Sequence, residues 1–125
     1  MAKKRILIVE DERFTAITLS RMLETLDYVV VGVVEEGEGV IEVVEKERPD
    51  LVLMDVSLPI MDGFKVLAAI RQDESLGDIP VVALTARAMK GDQERILSEG
   101  FDAYISKPVD VEILKSTLDR ILYGK

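Results

Sequence analysis

The sequence predicts an α/β fold, an open, parallel, doubly wound sheet with helices on both faces. Three observations carry that prediction. The 125 residues suit one domain around one core, spanning residues 1–125. Five short apolar runs rich in Val, Ile and Leu alternate with longer stretches of helical period, the pattern of repeated βα units. Two of those runs show no polar alternation, as expected of strands covered on both faces.

The first run, Ile6 to Val9, and the third, Leu51 to Met54, are the unbroken ones and belong at the sheet centre. Between the first run and the second, Tyr28 to Val34, the residues Ala16, Leu19, Leu23 and Leu26 recur at helical spacing and form one apolar stripe. A second helix is read at Gly39 to Glu47 and a third at Asp62 to Gln72. The fourth run, Ile79 to Leu84, precedes a helix at Ala88 to Ser98 that Gly100 stops. After the fifth run, Ala103 to Ile105, the residues Val111, Leu114, Leu118 and Ile121 form the stripe of a last helix. Asp110 and Glu112 stand at its start and Lys115 and Arg120 later, as its dipole favours. Right-handed crossovers restrict this alternation to a doubly wound sheet, for which 2-1-3-4-5 is a common strand order.

Composition removes whole classes of chemistry. Zero Cys and zero His exclude disulfides, thiolate nucleophiles, imidazole bases, Cys/His zinc sites and Ser-His-Asp triads. The 16 basic and 24 acidic residues leave a net charge of −8, which repels a phosphate backbone and argues against direct nucleic-acid binding. The one basic cluster, Lys3-Lys4-Arg5, reads as the solvated flank of the first strand. No apolar stretch approaches the roughly 18 residues of a membrane span. Met1 to Val9 is too short for a signal peptide, and the lack of Cys suits a reducing cytoplasm.

In open α/β sheets, ligands bind beyond the carboxyl ends of the strands. The residues there are Glu10-Asp11, Asp55, Thr85 and Ser106-Lys107-Pro108. In the 2-1-3-4-5 order Glu10, Asp11 and Asp55 share the crevice between adjacent strands, where they repel one another unless a cation or a proton intervenes. Oxygen ligands alone favour Mg²⁺, with Mn²⁺ as the alternative. A carboxylate can attack phosphorus to form an acyl phosphate while cations neutralise the equatorial oxygens. Asp55, Mg²⁺ and Lys107 suit those roles, and Thr85 can hydrogen-bond a phosphoryl oxygen. Taken singly, these residues have plainer explanations. Glu10-Asp11-Glu12 can cap a helix, Asp55 can open a turn before Pro59 and Asp62-Gly63, Thr85 can end a strand, and Lys107 can be solvated. Their joint placement at four strand ends is not supplied by independent structural reasons.

Four segments carry a resemblance: Ile6 to Glu12, Asp50 to Gly63 (DLVLMDVSLPIMDG), Ala83-Leu84-Thr85-Ala86 and Tyr104-Ile105-Ser106-Lys107-Pro108. In order and spacing they match the motifs of the receiver domains of two-component response regulators, and the resemblance covers essentially the whole chain. It implies a flavodoxin-like (βα)5 sandwich and supports the strand order 2-1-3-4-5. It further implies that Asp55 accepts a phosphoryl group from a histidine kinase or histidine phosphotransfer protein. Asp11, Asp55 and the Ser57 backbone carbonyl would bind Mg²⁺, with Glu10 acting through a metal-bound water. Thr85 and Lys107 would contact the phosphoryl group, Lys107-Pro108 would be a cis peptide, and Tyr104 would change rotamer with Thr85. Ser57 and Arg87 would tune access of water to the acyl phosphate. Ala88-Met89-Lys90-Gly91-Asp92, with the Tyr104 to Pro108 motif, resembles stand-alone receivers of the DivK type and the receivers of hybrid kinases. The acidic turn Glu35-Glu36-Gly37-Glu38-Gly39 departs from the usual pattern and bears on partner choice.

Such a chain signals by binding a downstream protein target or by relaying phosphate onward. Its expected partner face comprises the fourth helix, fifth strand and fifth helix, with Met89, Lys90, Arg95 and Lys115 as contacts, either as a monomer or as a dimer formed on activation. Met1-Ala2 reads as a natural start, which favours a stand-alone regulator. Rival readings fit less well. A phosphatase of the haloacid dehalogenase type expects Asp-x-Asp, but Ser57 stands two residues after Asp55. A receiver-fold scaffold would lack Asp55, Asp11 or Lys107, and all three are present. Asp55 to Pro59 fails the EF-hand pattern, no Walker sequence occurs, and Gly37-Glu38-Gly39 lacks the third glycine of a dinucleotide fingerprint.

Overall fold

The computed structural model describes residues 3–57, 62–86 and 90–124, with backbone alone for residues 90–92. In chain order the elements are β1 (Arg5–Val9), α1 (Arg13–Thr25), β2 (Val29–Val34), a 3-10 turn (Gly37–Gly39), α2 (Val40–Glu47), β3 (Leu51–Asp55), α3 (Gly63–Gln72), β4 (Val81–Thr85), α4 (Lys90–Ser98), β5 (Ala103–Ser106) and α5 (Val111–Tyr123). The five strands form one parallel sheet in the order β2-β1-β3-β4-β5, the doubly wound arrangement expected.

The period of two along each strand explains the unbroken apolar runs. Leu7 and Val9 of β1 and Val52 and Met54 of β3 point to one core, under α2, α3 and α4, where they meet Val44, Val66, Leu67, Ile70 and Ile96. Ile6, Ile8, Leu51 and Leu53 point to the other, under α1 and α5, against Leu19, Leu23, Leu114 and Leu118. With both faces covered, alternate residues have no reason to be polar. The result is a rigid sheet whose carboxyl ends open on one rim.

Several boundaries differ from expectation for identifiable reasons. Tyr28 precedes β2; its amide closes α1 by donating to the Leu23 carbonyl, and its buried hydroxyl donates to Asp119 Oδ1 at 2.8 Å. Ile79 and Pro80 stand before β4, because Asp102 Oδ2 accepts the Val81 amide at the start of the strand. The helix expected from Gly39 begins one residue later, at Val40, because Gly39 closes the 3-10 turn that leads into it. Gly100 follows α4 with φ of 112°, a left-handed stop, while Ala88 and Met89 lie outside the described residues. Val111, placed in the apolar stripe of α5, is 40% exposed. As the first residue after the Asp110 cap it faces outward, and Thr117 takes a buried place beside Leu114 and Leu118.

Candidate functional site

Each strand end delivers one part of the site. Glu10 follows β1, held by its amide donating to the Val34 carbonyl at 2.9 Å, and is fully buried. Asp55 is the last residue of β3 and is 4% exposed. Its Oδ1 accepts the Ser57 amide at 2.8 Å, so the chain that leaves the strand turns back to orient the carboxylate. Thr85 ends β4, is buried, and its carbonyl accepts the Lys107 amide at 2.8 Å. That bond sets Lys107, which follows β5 and precedes a cis peptide to Pro108.

Lys107 Nζ lies 2.6 Å from Glu10 Oε1 and 3.0 Å from Asp55 Oδ2. The contact to Asp55 is an aligned hydrogen bond, whereas Glu10 Oε1, despite its close ion pair, has no aligned donor. Carboxylate oxygens of Glu10, Asp55 and the exposed Asp11 lie within 4.8 Å of one another. Two buried acids thus share one lysine, with the exposed Asp11 carboxylate beside them, so negative charge outweighs positive at this strand end.

That excess separates the carboxyls. Burial pushes Glu10 up to about 7, and Asp55 beside it adds to the rise against the opposing pull of Lys107. Burial would raise Asp55 too, but hydrogen bonds with Glu10, the Ser57 amide and Lys107 outweigh it and hold Asp55 below its usual range. Burial would lower Lys107, yet its two carboxylate partners hold it above its ordinary value. Asp55 is therefore the anion of the pair and Glu10 the carboxyl that retains a proton toward neutral pH. An oxygen-only donor set, in which the buried Glu10 Oε1 has an ion pair but no aligned hydrogen bond, fits a hard divalent cation.

A cavity of about 320 Å³ opens beside this cluster, with Ser57, Thr85, Phe64 and Arg95 among its described walls. Tyr104, half-buried on β5, packs against the core under α3 and α4. Two expected partner contacts are engaged within the chain. Arg95 stacks its guanidinium over the Phe64 ring at 4.1 Å from the centroid, and Lys115 pairs with Asp119 at 2.8 Å. Lys115 also lines a groove with Tyr28, Lys3 and Tyr123. Arg87, Met89 and the Lys90 side chain lie outside the described residues. Sequence reasoning missed the role of the Ser57 amide and the tight packing of Gly63 against the end of β3; the Asp62-Gly63 pair signalled only a turn.

Residues 6–119 match the model of the response regulator receiver domain. The chain belongs to that family. This receiver is 40% identical over 119 residues to the polar-differentiation response regulator DivK of Brucella anthropi, a match spanning 92% of this chain and 96% of that protein. Its fold superposes on the receiver domain of the sensor histidine kinase PA1611 from Pseudomonas aeruginosa PAO1 with a TM-score of 0.87 at 35% identity, covering 99% of this chain and 100% of that one. That crystal structure holds a magnesium ion in its active-site cleft. The receiver domain of a signal transduction histidine kinase from Syntrophus aciditrophicus is likewise 35% identical, with a TM-score of 0.85 over 97% of this chain and 91% of that one. Among the described residues no helix is long and apolar enough to cross a membrane.

Proposed function

We propose that this receiver is a phosphoryl-accepting switch in the cytoplasm, with Asp55 as the acceptor and residues 1–125 as one working unit. The observation that carries the reading is the cluster itself: three carboxylates within 4.8 Å, with one lysine reaching both Glu10 and Asp55. The donor is a histidine kinase or a histidine phosphotransfer protein. A carboxylate oxygen of Asp55 attacks phosphorus, and an O–P bond forms as the P–N bond to the donor imidazole breaks. The imidazole nitrogen leaves with a proton from water. The chain transfers and loses the group on its own residue and turns over no external substrate.

Asp11, Asp55 and the Ser57 carbonyl would hold Mg²⁺ or Mn²⁺, with Glu10 reaching it through water. Bound there, the ion would neutralise charge on the transferring phosphoryl oxygens. Lys107, already 3.0 Å from Asp55 Oδ2, would move its contact to a phosphoryl oxygen. Thr85 would donate its hydroxyl to another, and Tyr104 would follow inward, shifting α4, β5 and α5 between two states that a protein target distinguishes. Ser57 and Arg87 would govern how readily water reaches the acyl phosphate.

The test is the intact mass after incubation with acetyl phosphate and Mg²⁺. One added phosphoryl group on the wild type, absent from Asp55→Ala and suppressed by EDTA, is the expected result. An adduct that persists in Asp55→Ala would overturn the assignment.

A further inference from the structure

Gly63 opens α3 and is buried. A Cβ on this residue would stand 2.8 Å from the Asp55 carbonyl oxygen and 2.8 Å from the Val56 Cα, with the Asp55 carbonyl carbon at 3.4 Å. All three neighbours are backbone, which cannot swing aside as the tip of a flexible side chain can. Gly63 does not have a left-handed φ. Space, not conformational freedom, is what this position demands.

Neither side of that contact yields easily. Helix α3 is pinned by Val66, Leu67 and Ile70 in the core and by the Asp62 side chain, which accepts the Lys65 amide at 3.0 Å. Strand β3 is bonded on both sides, and just beyond it the Val56 amide donates to the Leu84 carbonyl at 3.1 Å. The Gly63 amide itself donates to the Val56 carbonyl at 3.2 Å, so the start of the helix and the end of the strand are docked backbone to backbone. Any displacement falls on Val56 and its successor Ser57, whose amide orients Asp55 Oδ1.

We infer that Gly63 is a positioning residue: its missing side chain lets the start of α3 seat against Asp55 and Val56 and so fixes the Ser57 amide that aims the Asp55 carboxylate. The functional consequence rests on the reading of Asp55 as phosphoryl acceptor and cation ligand. The structural statement does not.

The test compares Gly63→Ala with Ile70→Ala, which opens a cavity two turns along the same helix. In amide NMR spectra, Gly63→Ala shifts the Ser57 and Val56 resonances, and Ile70→Ala leaves them near wild type. In Mg²⁺ titrations, Gly63→Ala binds roughly tenfold or more weakly, as when a group supporting a metal ligand is lost. Its phosphorylation by acetyl phosphate slows comparably, whereas Ile70→Ala loses stability but keeps its affinity. Wild-type Ser57 resonances and Mg²⁺ affinity in Gly63→Ala would overturn the inference. Should Gly63→Ala not fold, the wild type decides: Gly63 and Val56 amides that move with Ser57 across a Mg²⁺ titration support the coupling, and amides that stay fixed refute it. A wild type that neither binds Mg²⁺ nor takes phosphate would refute the acceptor reading instead, and the Ser57 resonance in Gly63→Ala would still report the contact.

Discussion

At the amino end of the sheet, Asp50 and Asp102 each close a two-way clasp with a neighbouring strand. The Asp50 amide donates to the Arg5 carbonyl while its Oδ2 accepts the Arg5 amide, both at 2.8 Å. The Asp102 amide donates to the Val81 carbonyl at 2.9 Å, and its Oδ2 accepts the Val81 amide and an Arg71 nitrogen, each at 2.8 Å. At the carboxyl end, Glu10 and Asp55 share the amine of Lys107 with the exposed Asp11 carboxylate close by, and one buried oxygen of Glu10 finds no aligned donor. Carboxylates at the first rim satisfy the backbone. Those at the second are held in excess, and an excess that costs stability points to a partner that arrives later.

The contrast sets an order of effects. Lys107→Ala strips the cation that bridges two buried carboxyls. It should lower stability in EDTA by about 3 kcal/mol, the lower end for a broken buried pair because Glu10 can stay protonated. Mg²⁺ should restore much of that loss in urea denaturation. A variant indifferent to Mg²⁺ would break the contrast. Asp102→Ala should cost about 1–2 kcal/mol by leaving the Val81 amide without its side-chain acceptor and taking one of several acceptors from Arg71, and Mg²⁺ should return none of it.

Tyr28→Phe, also at the first rim, should cost about 1 kcal/mol through its bond to Asp119. Burial, reinforced by Asp119, pushes the Tyr28 phenol above its ordinary value of 10.0. Below pH 10 both folded and unfolded states keep the proton and the contribution is whole. Above it the unfolded chain ionises first, and stability is lost as pH rises toward the higher folded value. Denaturation series at successive pH values should therefore show the wild type falling toward Tyr28→Phe above about pH 10. Parallel curves would remove the hydrogen bond from the account.

The two rims also differ in how far they could be read from sequence. Glu10, Asp55, Thr85 and Lys107 stand at or just after apolar runs, and a doubly wound sheet brings such positions together whatever the details of packing. The clasps of Asp50 and Asp102 depend on which strand lies alongside and in what register. Asp50 precedes β3 yet serves β1, and Asp102 precedes β5 yet serves β4. Nothing local marks that. Spacing also misplaced Val111, because a helix's first residue shares the stripe's period without sharing its burial. Arg95 and Lys115, expected on the partner face, also touch Phe64 and Asp119 within the chain, contacts between side chains that composition cannot reveal.

The most direct test is calorimetric titration of Mg²⁺ into the wild type, Asp55→Asn and Asp50→Ala. If the surplus at the carboxyl rim is a cation site, the wild type and Asp50→Ala bind one ion with similar affinity, and Asp55→Asn loses most of that binding. Equal binding by Asp55→Asn, or its loss in Asp50→Ala alone, would contradict the account.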